Sequence, residues 1–166
     1  MIRALALALA LALACAGCAG GDHAVTHYEA RPFDEDRDAM AAVNAALAEA
    51  GASGRNVLLV MGANWCHDSR ALAGMFESER FAGLMTTDFV PVYVDAGKPR
   101  EDAAANMDVA RRFGVDRLIG TPNLFVLSAD GRLLNDPEDV TGWTDAASRD
   151  ADEVEAFLKA HRPAGR

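Results

Sequence analysis

Asn56-Val57-Leu58-Leu59-Val60-Met61-Gly62-Ala63-Asn64-Trp65-Cys66-His67-Asp68-Ser69 joins an apolar run to a cysteine and then to a helical pattern. Residues 57–61 are apolar without interruption, which fits a strand covered on both faces, as in a parallel sheet flanked by helices. After the cysteine, Leu72, Met75 and Phe76 recur at helical spacing, so a helix begins at or beside Cys66. A thiol at a helix N-terminus meets unpaired backbone N–H groups and the positive end of the helix dipole, which favour thiolate over thiol. Only the thiolate attacks disulfides. The fourth residue of Cys66-His67-Asp68-Ser69 is a serine, so the stretch carries half of a dithiol.

Outward from this stretch, Met40, Val43, Leu47 and Ala50 predict a helix from 38, with Gly51 as its stop. Residues 89–94 read as a strand, and Pro91 within it calls for an edge position or a bulge. Ala103, Met107 and Ala110 mark a further helix closed by Phe113-Gly114. Residues 124–127 form a strand, and Ala129-Asp130-Gly131-Arg132 signals a hairpin into Leu133-Leu134. The last helix starts near Asp150, with Glu153 placed as in a capping box, packs through Val154, Phe157 and Leu158, and stops before Pro163. Alternation first and a hairpin last predict an α/β fold with a central mixed sheet flanked by helices.

The N-terminus has a different character. Arg3 is followed by an Ala/Leu run from 4 to 14 and then by small residues, the three-part form of a secretory signal. That run is too short to span a bilayer, which takes about 20 residues. Leu13-Ala14-Cys15-Ala16-Gly17-Cys18 resembles the lipobox of bacterial lipoproteins. The resemblance implies lipidation of Cys18, with Cys15 as the alternative and plain secretion as the other reading. It also implies a protein on the periplasmic side of the bacterial envelope, attached to the membrane by its N-terminal lipid. The lack of Asp directly after either cysteine favours the outer membrane. The organisation is then a signal over 1–17, a flexible tether over 18–34 with a short strand near 24–28, and a domain over 35–163. With Cys18 lipidated, Cys66 is the only free thiol of the mature chain and no intramolecular disulfide can form. With Cys15 lipidated, Cys18 remains as a possible partner.

The formal net charge is −9, and one unit more negative once Arg3 is removed. No basic stripe interrupts it, so nucleic acid is excluded as a partner. His23, His27 and Cys18 lie in the tether without a closing ligand set, so no metal is expected. No phosphate loop, Ser-His-Asp set or paired-carboxylate signature is present, and no cofactor is implied.

The order of elements, Trp65-Cys66 after the first strand and Gly120-Thr121-Pro122 before the hairpin resemble the thioredoxin family over about 38–161. The resemblance implies a thioredoxin fold, with Cys66 as nucleophile, Trp65 beside it, and Pro122 as a cis-proline facing the thiol. The backbone of Thr121 would pair with a bound peptide as an added strand. Cis X-Pro bonds make up about 5–6% of such bonds in folded proteins, so this expectation comes from the resemblance alone. Three positions depart from the family pattern. Ser69 replaces the resolving cysteine, Val60 stands where the family has a buried acid, and Pro91 lies near a lysine position. Together they imply that the dithiol reductase cycle is lost.

Around the thiol, His67 favours the thiolate if protonated, or is simply a solvent-facing first-turn residue. Asp68 favours helix initiation, and Ser69 can donate to a Cys66 thiolate or be a small first-turn filler. His161 complements the dipole of the last helix, and Tyr93 and Trp143 read as core or rim aromatics. A monothiol still forms mixed disulfides. The expected activity is therefore monothiol exchange with protein thiols and disulfides of the envelope, in isomerase-like or client-trapping form. A redox-inactive peptide-binding or protein-binding module is the alternative, and an oxidant sensor a third reading.

Overall fold

The computed structural model describes residues 27–165. The expected signal, Cys15, Cys18 and His23 lie outside the described residues.

The order of elements is α1 (Ala39–Ser53), β1 (Asn56–Gly62), α2 (His67–Glu77), α3 (Glu79–Thr87), β2 (Phe89–Asp95), β3 (Gly97–Lys98), β4 (Ala103–Ala104), α4 (Met107–Arg112), β5 (Asn123–Leu127), α5 (Pro137–Thr141) and α6 (Ala151–Ala160). β1 is the central strand, parallel to β2 and antiparallel to β5. All of its residues are buried, and its side chains alternate between two cores. Val57, Leu59 and Met61 join Val43, Ala50, Val109 and Phe113 on the α1 and α4 side. Leu58 and Val60 join Leu72, Phe76, Phe81 and Leu158 on the side of α2, α3 and α6. That is why the run shows no polar alternation. The mixed α/β sheet flanked by helices is as expected, and Pro91 is exposed on β2, which pairs with β1 alone among the described residues.

Several boundaries differ from the sequence reading. α1 runs through Gly51 to Ser53, because the left-handed residue that closes it is Gly54, φ 68°, whose N–H donates to Ala50 O. The single helical pattern after Cys66 is two helices, since extended Ser78 ends α2 and starts α3. Ala103 belongs to a short ribbon, β3–β4, folded over a 3-10 turn at Pro99–Glu101, and α4 begins only at Met107. The second arm of the hairpin shrinks to a single bridge, Leu127 with Leu133. Buried Asn135 replaces the rest: its Oδ1 accepts from Val126 N–H at 2.8 Å and its Nδ2 donates to Leu124 O at 2.9 Å. A side-chain amide thus does what an added strand would do. α5 follows it, an element outside the sequence expectation. α6 is capped by Asp150, which accepts from Asp152 N–H at 2.7 Å, while Glu153 closes no reciprocal bond among the described residues.

Residues 28–33 are not tether. They cross the domain as a strap, and residues 27 and 28 form no strand. Phe33 is fully buried and meets Tyr93 edge to face at 5.7 Å. Ala30 N–H donates to Arg70 O, and the Glu29 backbone passes so close to α2 that a Cβ on Gly74 would stand 2.3 Å from Glu29 N. Gly62 makes similar room for the Phe33 ring, 2.6 Å from where its Cβ would be.

The strap gives Gly74→Ala an unusual sign. In an open helix this change stabilises by about 1 kcal/mol. Here the added methyl meets backbone that cannot give way, so overpacking of about 1–3 kcal/mol prevails. We expect the unfolding midpoint, read by circular dichroism, to fall by about 3–8 °C. A rise would show that the strap does not hold its place on α2.

Candidate active site

Below the C-terminal end of β1 the chain turns through Ala63, Asn64 and Trp65, closed by Cys66 N–H on Ala63 O at 3.1 Å. The strap clamps this turn. Phe33 N–H donates to Asn64 Oδ1 at 3.2 Å, and Asn64 Nδ2 donates to Phe33 O at 2.6 Å. Arg70 reaches back from α2 to Asn64 O at 3.0 Å and pairs with Glu29 of the strap. Extended Cys66, φ −85° and ψ 124°, is the N-cap of α2. It is 8% exposed, and its Sγ donates to Thr121 O at 3.3 Å. The Thr121–Pro122 peptide bond is cis. Asn123 Nδ2 donates to Gly120 O at 2.8 Å and holds that loop from below. The fold thus brings Cys66 against the Thr121-Pro122 loop across 55 residues of sequence. Among the described residues Cys66 is a free cysteine with no second thiol.

The neighbours of the thiol divide into those that face it and those that do other work. Ser69 is fully buried, and its Oγ has no partner, Cys66 included. It lies against the bare α-carbon of Gly62, 2.9 Å from where a Cβ would stand. His67 is exposed. Asp68 does more than favour the helix start: its Oδ1 accepts from Ala147 N–H at 3.0 Å and ties α2 to the 3-10 turn at Ala146–Ser148. Trp65 is 53% exposed, with its indole N–H donating to Gly97 O at 3.1 Å. Away from the thiol, Trp143 is buried against Phe157 at 4.9 Å. Tyr93 is half-buried, and burial together with the Glu77 charge holds its phenol far above the ordinary range. His161 caps α6, with Nδ1 2.8 Å from Phe157 O.

A groove of about 290 Å³ opens at the thiol, lined by Trp65, Cys66, His67, Arg100, Thr121 and Thr144 among others. Ile119, 55% exposed, stands next to the groove residue Gly120, so two large apolar side chains are left in solvent on loops that reach the thiol. Sequence reasoning missed Asn64, Arg100, Ile119 and Thr144. Ile119 had a usable signal, an apolar residue directly before Gly120-Thr121-Pro122. Arg100 had none, because the apparent helical spacing of Ala103, Met107 and Ala110 hid the ribbon that carries it.

The ribbon is anchored by Asp95. Its Oδ2 accepts from Gly97 N–H at 2.9 Å, and its own carbonyl accepts from Asn106 Nδ2 at 2.8 Å. Burial pushes the Asp95 carboxyl up, Gly97 N–H opposes the shift, and the Glu35 charge adds to it. Gly97 in turn presents the carbonyl that holds Trp65.

The sequence model of a family described as thioredoxin-like matches residues 38–129. Among solved structures, the chain is similar to a disulphide isomerase from Xylella fastidiosa Temecula1, with 27% identity and a TM-score of 0.67 over 79% of this chain and 96% of that one. No curated protein matches.

The raised Asp95 carboxyl predicts a pH-dependent cost. A carboxyl raised on folding opposes the native state once ionised, so the penalty is full above its native value and gone below the unfolded value of about 3.9. Asp95→Asn keeps an acceptor for Gly97 and removes the buried charge. Its unfolding midpoint should exceed that of the unchanged protein at pH 7, with the gain shrinking to nothing as pH falls to about 3. An equal difference at both pH values would exclude a charge effect.

Proposed function

The chain belongs to the thioredoxin-like family, and from that premise we propose that it performs monothiol thiol–disulfide exchange through Cys66. Fold and similarity support thiol–disulfide oxidoreductase chemistry. The observation that carries the monothiol form is Ser69. A serine with no partner fills the first-turn position where a resolving thiol would have to be, while Cys66 lines an open groove beside the cis Thr121–Pro122 bond.

In the resting thiol, the Cys66 proton lies on the hydrogen bond to Thr121 O. Loss of that proton to solvent, with exposed His67 as the nearest titratable side chain in sequence, leaves the thiolate at the N-terminus of α2. The thiolate attacks one sulfur of a client disulfide. A Cys66–client disulfide forms, the client S–S bond breaks, and the other client sulfur leaves as a thiolate. Thr121 O has then lost its thiol donor and can accept a client backbone N–H, as in strand addition. Trp65 and Ile119 give a client apolar surface to cover. Ser69 cannot resolve the mixed disulfide, so release takes a second client thiol or an external one. The cycle is isomerase-like or client-trapping, with no net oxidation or reduction through Cys66 and Ser69. We place this chemistry on the periplasmic side of the bacterial envelope, with the domain exported and held to the membrane by a lipid on Cys18 (or Cys15), and with envelope proteins as clients.

The small exposure of the thiol and its bond to Thr121 O favour a second reading, a binding module in which the groove captures a peptide without chemistry. The two diverge on one experiment. The full-length protein is mixed with a disulfide-bonded unfolded protein, quenched with acid and run on non-reducing gels. Exchange predicts a mixed disulfide that disappears with Cys66→Ser and builds up when no small thiol is present. Capture that survives Cys66→Ser and is lost in Pro122→Ala would replace exchange with binding.

Ser69→Cys supplies the missing half of the dithiol. Under mild oxidation the introduced thiol should form a disulfide with Cys66, and the variant should reduce insulin at a measurable rate where the parent has none. An inert variant would remove Ser69 from the resolving position.

A further inference from the structure

Arg100 is the cation of the groove for which the fold has no use. It sits on the 3-10 turn between β3 and β4, is exposed, and lines the same groove as Cys66 and Thr121. Nearly every other arginine close to the site or the cores is engaged. Arg70 pairs with Glu29 and Asn64, Arg80 with Asp152 and Glu155, Arg149 with Asp145, and Arg162 with Asp88. Arg100 closes no ion pair and donates no hydrogen bond among the described residues. Its neighbours on the ribbon do not recruit it either, since Glu101 pairs with Lys98 at 3.5 Å.

The guanidinium nevertheless lies close against Gly120. A Cβ on Gly120 would stand 3.3 Å from Arg100 Nε, 3.4 Å from Nη2, and 2.8 Å from Thr144 Cγ2. Gly120 therefore opens the space that lets Arg100 lie over the loop leading into Thr121-Pro122. The acid in the groove, Asp68, is already held by Ala147 N–H. In a domain of strongly negative formal charge, this puts an unspent fork of N–H donors beside the nucleophile, matched in geometry to a carboxylate.

The geometry points to Arg100 as the specificity-determining residue of the groove. It selects disulfides that carry a carboxylate within a few atoms of the sulfur under attack, such as a cystine flanked by Asp or Glu. This rests on the exchange reading of Cys66 and names its substrate class. The chemistry is unchanged: Cys66 thiolate displaces one sulfur, which leaves as a thiolate, while the carboxylate stays bound to Arg100.

The test uses the full-length protein and two small disulfides, anionic 3,3′-dithiodipropionate and neutral 2-hydroxyethyl disulfide, with mixed-disulfide formation timed by mass spectrometry. Comparing the two rates within each variant cancels any change in the nucleophilicity of Cys66. Arg100→Gln should slow the anionic reaction about threefold to fivefold, the upper part of the range of an exposed charge pair, and leave the neutral one within about twofold. Arg100→Lys should recover part of the loss, and added salt should erase the difference. Arg111→Gln, the same charge change on α4 outside the groove, should alter neither. Equal slowing of both probes by Arg100→Gln, or equal loss in Arg111→Gln, overturns the selectivity alone. Failure of Cys66 to react with either probe overturns exchange itself.

Discussion

Burial of β1 on both faces is the constraint on which the rest depends. A strand with no solvent face has to end abruptly, because the loop after it must reach water to satisfy its backbone. That exit, residues 63–65, is where Cys66 is set. The thiol is positioned by a fully buried strand and yet lies just past its end. The parallel partner β2 ends in register, Gly62 opposite Asp95, so the ribbon carrying Arg100 leaves the sheet at the same end. On the other side, Met61 opposite Asn123 brings the cis Thr121–Pro122 loop to that end too. Three segments far apart in sequence therefore meet at the thiol because one strand ends there.

Close approach is the second condition, and glycine meets it at three points. Gly74 admits the backbone of the strap, Gly62 admits Phe33 and Ser69, and Gly120 admits Arg100 and Thr144. The first two link the site to residues 28–33, which lie before the region matched by the thioredoxin-like family. Asn64 is the junction, bonded through its side chain to Phe33 and through its carbonyl to Arg70. The strap is thus part of the scaffold that fixes the turn before Cys66.

What can be read in the sequence follows from these two conditions. The buried run at 57–61, the helix after Cys66 and the edge role of Pro91 are statements about local period and backbone chemistry, and a single chain carries them in full. The pairing of Cys66 with Thr121-Pro122 is a contact across the fold, and it is accessible only through the family resemblance. What escapes is set by individual tertiary contacts. Ser78 divides a helix with no proline or glycine to mark it. Asn135 takes over the edge of β5 with a side chain in place of a strand. The ribbon at 97–104 turns through left-handed Asp102 and is followed by left-handed Asn106, non-glycine residues that give no turn signal, while Ala103, Met107 and Ala110 imitate a helix. The strap reads as tether because its burial rests on Phe33 and on two glycines about thirty residues or more away.

The unpaired buried polar atoms gather at this corner and not in the two cores. Buried polar groups nearly always find partners, and each that does not costs about 1–3 kcal/mol. Among the described residues the buried side-chain atoms without one are Ser69 Oγ, Thr121 Oγ1 and Asn123 Oδ1. None lies in the two cores proper. One is in the first turn of the helix that Cys66 caps, one in the residue whose carbonyl receives the thiol, and one directly after the cis-proline. In the proposed exchange, in which the charge on Cys66 changes, these groups are donors and acceptors in the corner where that charge develops, and their cost falls on the segment proposed to bind and release another chain.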